Sequence, residues 1–490
     1  MSPKNKIILF YPKIYEGFVE WHRAPLSLMA VARMVEKEFD VEIIDERVDK
    51  KPKEKVADII QECLCFGITA LTGSQIKYAL GMAKFVKENA PSIPIVWGGW
   101  HPSVVPEQTA MHPLVDIVVR GQGELSFREI VKALSFNKPL ADIPGITYKE
   151  NNTIVSTPDR PFCDVNEFPP MPYHLVNVEN YIGSPPSSDG ARIISYISSQ
   201  GCPHRCAFCS DSRVYKRKWS GLRAELVVDE LEKLSRTYNI EGFFFEDSNF
   251  FGSLERVRAI CKEITKRKLA IKWEAEVRTE KFVRADKELK DMIKESGCYQ
   301  LLVGAESGSQ EVLNLINKDA SVDDTVNLVK QAMEYSIVPV LSLMVGLPGV
   351  KDDINATIKL IRDSKLYYPR TRVFMFFYTP YPGTQLYETA LKYGLKAPST
   401  LDGWADYTLD KIQTPWVKKK NKNLLSNLMF YFTMAYPSED SMRGTPLTRL
   451  AKKLISFLAR QRLRLNFYGL PLEAFVVNKY LKRKSSKGAA

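Results

Sequence analysis

Apolar and polar positions along this chain predict two successive α/β folds joined by a proline-rich strap. Lys6-Ile7-Ile8-Leu9-Phe10-Tyr11 is a short apolar run ended by Pro12, the pattern of a buried strand. Leu26, Met29, Ala30, Val31, Met34 and Val35 then recur at helical spacing. Further strands are predicted over 41–45, 65–69, 95–99 and 115–120, and helices over 54–62, 74–87 and 124–134. This alternation argues for a doubly wound parallel sheet over residues 1–135, which binds ligands at the carboxyl ends of its strands. A hairpin is expected around Lys149-Glu150-Asn151-Asn152, followed by seven prolines from Pro158 to Pro186, so residues 136–190 read as an extended strap. Within it, Tyr173 and His174 are candidates to face an active site.

Strands over 193–197, 242–245, 271–277, 300–303, 338–345 and 372–378 then alternate with helices over 254–266, 286–295, 323–335 and 355–366. Six βα units over 191–399 predict an incomplete parallel barrel, with its chemistry at the carboxyl ends of the strands. Residues 400–490 predict a basic helical region, with helices over 424–435 and 447–465.

Composition narrows the class. A chain of 490 residues, 45% hydrophobic and 26% charged, is that of a globular protein of two or three domains. No run approaches the 18 or more apolar residues of a membrane span, and only five apolar residues follow Met1–Lys6 before Pro12. A cytoplasmic protein with reduced cysteines is therefore expected. The net charge of +12 is uneven: residues 411–490 carry 17 Lys and Arg against three acidic residues, +14, leaving about −2 elsewhere. Basicity belongs to the tail, and nucleic-acid binding by the whole protein is not expected.

Three of the eight cysteines, Cys202, Cys206 and Cys209, fall at C-x3-C-x2-C spacing in Gln200-Gly201-Cys202-Pro203-His204-Arg205-Cys206-Ala207-Phe208-Cys209. Three thiolates on one loop can hold three irons of a [4Fe–4S] cubane and leave the fourth open to a ligand. With His204 the same loop offers a zinc set. The remaining five, Cys63, Cys65, Cys163, Cys261 and Cys298, read as small hydrophobes.

The cysteine spacing, with Phe208 before the last cysteine, resembles the radical S-adenosylmethionine (SAM) superfamily. That resemblance implies a [4Fe–4S] cluster on Cys202, Cys206 and Cys209 whose open iron chelates SAM and cleaves it to a 5′-deoxyadenosyl radical. It also implies SAM contacts at Phe208 in the cysteine loop and at the barrel's strand ends. Glu246 and Asp247 would accept from the SAM amino group. Arg278, a planar fork, suits the methionine carboxylate, and Glu306 the ribose hydroxyls, with Ser307 beside it. Gly346, in Val345-Gly346-Leu347-Pro348-Gly349, would admit the flat adenine.

The first domain's strand ends carry small residues: Thr69, Thr72 and Gly73; Gly98 and Gly99; Gly121, Gly123 and Glu124. Glycine there lets a bulky ligand approach the backbone. The pattern resembles the Rossmann-like (flavodoxin-like) cobalamin (B12)-binding domain that precedes many radical SAM barrels, which makes cobalamin the expected cofactor on those eight residues. Where cobalamin domains with a lower histidine ligand carry D-x-H-x-x-G, this chain has Lys13-Ile14-Tyr15-Glu16-Gly17-Phe18. His22 and His101 remain as other histidines near strand ends.

The resemblance implies a radical SAM enzyme, in the first instance a cobalamin-dependent methyltransferase acting on an unactivated carbon. The alternative is a radical cyclase or carbon–carbon bond-forming enzyme on a lipid or tetrapyrrole. Its partners would be a small-molecule or lipid substrate and an electron donor such as flavodoxin or ferredoxin. In the tail, Arg449, Lys452, Lys453, Arg460, Arg462 and Arg464 around Leu450, Leu454, Ile455, Phe457, Leu458, Leu463 and Leu465 read either as an interfacial helix on anionic lipid or as a helix packed on the barrel with a solvated basic face.

Overall fold

The computed structural model describes residues 5–14, 22–151, 153–185, 187–350, 353–407, 414–417, 427–428, 430–432, 434–435, 437, 445–465, 467 and 471–473. Expectations for residues 15–18, 186, 418–422, 424–426 and 482–487 lie outside them.

Apolar runs fold as strands where both faces can be covered. β1 (Lys6–Tyr11), β2 (Asp40–Asp45), β3 (Cys63–Thr69), β4 (Ile95–Gly98) and β5 (Ile117–Val119) pair in parallel in the order β2-β1-β3-β4-β5. That is the flavodoxin-like order, whose switch point lies between β1 and β3. Ile7 and Leu9 face a core shared with α1 (Leu26–Ala32) and α6 (Glu124–Ser135). Ile8 and Phe10 face the opposite core, against α2 (Pro52–Ile59) and α3 (Ser74–Asn89). Two short helices not expected from the pattern, α4 (Trp100–Val104) and α5 (Pro106–Met111), fill the β4–β5 connection. The hairpin β6 (Ile146–Glu150) and β7 (Thr153–Ser156) extends this sheet antiparallel, so it completes the first fold instead of lying in the strap.

The strap then stitches both folds. Tyr181 Oη donates to Asp45 Oδ2 (3.0 Å) at the end of β2. Tyr173 Oη donates to the Ser195 carbonyl (2.7 Å), and its ring is buried in the core, so it does not face an active site; His174 pairs with Glu36.

The second sheet holds β8 (Ile193–Tyr196) and, after the two-stranded ribbon β9 (Ser199–Gly201) and β10 (Trp219–Gly221), five more parallel strands. These are β11 (Gly242–Phe245), β12 (Lys272–Val277), β13 (Cys298–Glu306), β14 (Val338–Val345) and β15 (Arg372–Phe377). Their linear order from β8 to β15 is the predicted six-stranded partial barrel. α7 (Asp211–Val214), α8 (Ala224–Tyr238), α9 (Leu254–Lys266), α10 (Thr279–Arg284), α11 (Lys287–Glu295), α12 (Gln310–Leu315), α13 (Val322–Glu334), α14 (Asp353–Tyr367) and α15 (Gln385–Lys392) connect and cover it. α13 starts where it does because Ser321 and Asp324 form a reciprocal capping box.

Strand alternation sorts the barrel's residues. Phe243, Phe245, Trp273, Ala275, Leu301, Val303, Leu341 and Leu343 join the core beneath the helices. The intervening positions face the lumen: Ser195, Phe244, Glu274, Glu276, Gln300, Gly304, Ser342, Met344, Phe374 and Phe376. Beyond the barrel, α16 (Leu401–Ala405) returns to the first fold, where Trp404 packs on His101 and Tyr407. α17 (Pro446–Arg464) buries Ala459 and Leu463 in the main core.

Candidate active site

The cysteine loop leaves β9 at Gly201, whose φ of +77° and close approach to the Lys218 carbonyl admit only glycine. The loop is clamped at its middle. Ala207 N donates to the Ile316 carbonyl (2.8 Å), and its own carbonyl accepts from Leu386 N (2.8 Å). Cys206 is buried, Cys202 and Cys209 are half-buried, and Phe208 packs on the second core. Burial pushes the Cys202 thiol up to about 11 and that of Cys209 higher still, and charge on neighbouring thiols adds to both. Thiols raised in this way ionise only beside strong positive charge.

Among the described residues no group of three or more His, Cys, Asp or Glu stands in metal-holding geometry. The fit to an iron–sulfur cluster rests instead on donor chemistry: three clustered thiols, and a guanidinium already aimed at one of them. Arg278 Nη1 donates to Cys206 Sγ (3.3 Å), Nε to Glu280 Oε1 (2.6 Å), and Nη2 to the Lys318 carbonyl. Arg278, expected at the SAM carboxylate, thus lies directly beside the cysteine loop. His204 is held at about 4 by burial and by the nearby cations Arg278, Lys281 and Lys318.

The other strand-end residues divide. Glu306 sits at a bulge between β13 and β14 with φ +61°, a conformation that costs a non-glycine residue roughly 1 kcal/mol. The buried ammonium of Lys318, 2.7 Å away, holds its carboxylate. Glu246 pairs with Arg23 (2.7 Å), which reaches over from the β1–α1 connection and lies 4.0 Å above the Phe244 ring. Burial pushes Glu246 up to about 7, partly offset by Arg23, and its Oε1 has no hydrogen-bond partner. Glu276 in the lumen and Asp211 beside the cysteines are also raised by burial, Asp211 to about 7. Glu276 is solvent-accessible yet walled by protein, as a side chain in an open barrel mouth must be.

Three further residues of the expected SAM set have partners within the protein. Asp247 is fully buried, and its carboxylate accepts from Ser198 N (2.6 Å), Ser199 N (2.7 Å) and the Ser198 hydroxyl. It fixes the turn that carries β8 into the cysteine loop. The Ser307 hydroxyl accepts from Ser309 N (3.1 Å), a local turn. Gly346, φ +77°, has its carbonyl bound by Trp416 Nε1 (2.8 Å), with Val417 against it.

Between the two folds lies a cavity of about 740 Å³. Its floor is the strand ends of the first sheet: Thr69, Gly98, Gly99, Gly121, Gly123 and Glu124. Its roof is the mouth of the barrel: Ile197, Ser199, Gln200, Gly201, Glu246 and Ser248. Six of the eight residues expected to contact cobalamin line it. Thr72 and Gly73 do not; Thr72 bonds His101 (3.0 Å), and Gly73 lies against the Tyr407 carbonyl. His101 is fully buried in the core, where burial alone lowers it to about 3, whereas His22 lines the cavity. Gly99 has φ +97°, and a Cβ there would meet Thr69 Oγ1 at 2.9 Å. The glycine ledge suits a large flat ligand seated against backbone. Glu124 is committed sideways, to Arg33 (3.0 Å) and to Gln200 two residues before Cys202.

Arg23, Lys318, Ser198, Glu276 and Asp211 have no motif to mark them in this role. Arg23 precedes Pro25 in an unpatterned stretch, and Lys318 lies in a loop twelve residues beyond Glu306.

The sequence signature of the Radical SAM superfamily matches residues 196–361, and that of the B12 binding domain residues 20–131. The uncharacterized methyltransferase PH0819 of Pyrococcus horikoshii is 33% identical over 389 residues, 78% of this chain and 81% of its own. The anaerobic magnesium-protoporphyrin IX monomethyl ester cyclase of Cereibacter sphaeroides is 27% identical over 397 residues, 78% of this chain and 63% of its own. The cobalamin-dependent SAM radical enzyme OxsB, solved with aqua-cobalamin and SAM, shares the fold with a TM-score of 0.74 at 19% identity, over 98% of this chain and 75% of that one. TsrM of Kitasatospora setae, a radical SAM methyltransferase solved with cobalamin and a [4Fe–4S] cluster, gives 0.66 at 18%, over 81% and 76%. This chain belongs to the radical SAM proteins that carry an N-terminal B12-binding domain.

Proposed function

We propose that the protein is a cobalamin-dependent radical SAM methyltransferase that methylates an unactivated carbon of a small-molecule or lipid substrate. The observation that carries this reading is the shared cavity. It is bounded by the ligand-binding edges of two parallel sheets, so a group held on the glycine ledge faces the barrel mouth directly. When bound, the cluster supplies the electron that cleaves SAM, and cobalamin supplies the methyl group.

The chain's own residues then bind and orient. Cys202, Cys206 and Cys209 hold three irons, with Arg278 steadying Cys206. Glu246 accepts from the SAM amino group, sharing its charge with Arg23, and Glu306, fixed by Lys318, accepts from the ribose. Phe208 packs against the cofactor, and Gly346 leaves room for its adenine. Asp247 and Ser307 support this frame from behind. Thr69, Gly98, Gly99, Gly121 and Gly123 seat the corrin, with Thr72 and Gly73 behind them, while Glu124 ties that ledge to the cysteine loop through Gln200. Phe374 and Phe376, stacked at 6.3 Å and open to the lumen, form an apolar wall that fits a hydrocarbon substrate. A flavodoxin or ferredoxin is the expected electron donor, and contact with a membrane surface through the basic C-terminal region belongs to the same reading.

The test is the optical spectrum of the cluster-reconstituted protein after incubation with hydroxocobalamin and desalting, followed by turnover with methyl-deuterated SAM. Retained cobalamin and deuterated methyl in a product support methyl transfer. A protein that cleaves SAM without retaining cobalamin refutes it. That outcome favours radical cyclisation, a reading that likeness to the cyclase already supports.

A further inference from the structure

α17 presents an apolar stripe outward. One face packs on the protein: Ser456, Ala459 and Leu463 are at most 7% exposed, and Ser456 Oγ donates to the Ala435 carbonyl (3.0 Å). Half a turn round the axis, at 3.6 residues per turn, lie Leu450, Leu454, Phe457 and Leu458, exposed by 66, 59, 51 and 37%. Helices of globular proteins turn their large apolar side chains inward. Here the buried face holds Ser456, Ala459 and Leu463, while three leucines and a phenylalanine are left in water. Exposed apolar patches of this kind mark interaction surfaces. Arg449, Lys453, Arg460 and Arg464 run along one edge of the stripe, and α17 contains no acidic residue.

We propose that this face of α17 docks in the plane of an anionic lipid bilayer. Leu450, Leu454, Phe457 and Leu458 enter the headgroup–acyl boundary while the flanking cations meet lipid phosphates. Charge selects the occupant. A second copy laid on the same stripe would bring like rows of Arg and Lys together, whereas an anionic surface complements them. Among the described residues no helix is long and apolar enough to cross a membrane, so the helix lies on the bilayer. The inference deepens the membrane contact of the proposed function and rests on the methyltransferase reading for its biological use, yet it is measured without cofactors or turnover. Failure of one is therefore distinguishable from failure of the other.

The experiment is co-sedimentation of the full chain with vesicles of phosphatidylglycerol and phosphatidylcholine, and with phosphatidylcholine alone. Wild type should bind the anionic vesicles and release in high salt. Leu454→Ser with Phe457→Ser should weaken binding by at least about tenfold. Arg449→Gln with Lys453→Gln should weaken it roughly 10- to 30-fold, since each cation near such a surface contributes about fivefold. These side chains are exposed, so denaturation midpoints should not move. Unaltered partitioning of both variants overturns the proposal. So does a concentration-dependent dimer, seen by light scattering, that Leu454→Ser with Phe457→Ser dissolves while vesicle binding is unchanged.

Discussion

Asp247→Ala separates support of the cluster from contact with SAM. The carboxylate is fully buried and receives two backbone N–H groups and one hydroxyl, all from the turn leading into the cysteine loop. Arg256 Nη2 closes the arrangement by donating to the Ser198 carbonyl (2.8 Å) and hydroxyl (2.7 Å). Alanine leaves the two N–H donors without partners, at about 1–3 kcal/mol each, and removes the counter-charge to Arg256. Water entering the space recovers part of this, so a loss of about 4 kcal/mol is expected. For a domain of this size that lowers the melting temperature by roughly 10 °C. Burial is also the main influence raising the Asp247 carboxyl above its usual range, so a neutral isostere escapes that desolvation. Asp247→Asn keeps an oxygen for both N–H groups and should lose less than half as much. The assays are denaturant unfolding, and iron and acid-labile sulfide content after reconstitution. Iron should fall in Asp247→Ala and return largely in Asp247→Asn. A fully loaded, stable Asp247→Ala protein with only weakened SAM binding would refute the reasoning and restore Asp247 as a cofactor contact.

Cys206→Ala should hold markedly less iron and form no 5′-deoxyadenosine, read by iron assay and chromatography. SAM affinity should rise about tenfold from pH 6 to pH 8, because Glu246 titrates at about 7 and only its ionised form, present above that pH, pairs with an ammonium. Equilibrium dialysis across that range should be flat for Glu246→Gln. Gly99→Ala forces a side chain onto φ +97° and against Thr69, costing about 2 kcal/mol; desalted protein should retain less cobalamin while the iron content is unchanged.

Periodicity made the sheets legible. In β1, Ile7 to Phe10 are apolar throughout because both faces of the sheet are covered, and that run is visible without coordinates. The cysteine spacing was equally legible, since three thiols on one loop are close in sequence as well as in space. The polar frame was not. Asp247 and Ser198 are 49 residues apart, and Arg23 and Glu246 are 223 apart. Such pairs exist only once two folds are assembled, and a strand-end acid reads the same whether it serves a ligand or the backbone behind it. Arg278 shows the same: its planar fork suits a carboxylate, and only tertiary packing reveals that it also lies against Cys206 and Glu280. Tyr173, in the proline-rich strap, gave no sign that its ring would be core.

The reach of Arg23 into the barrel bears on how such a protein can be taken apart. A boundary drawn at the strap suggests two modules that could be expressed separately or exchanged with relatives. The salt bridge to Glu246, and the Ala24 N–H donated to the Ser195 hydroxyl at 2.9 Å, contradict that picture. An isolated barrel would lack a cation from its own mouth. A chimera with a foreign N-terminal half would need that one arginine, at that one turn, to inherit the site.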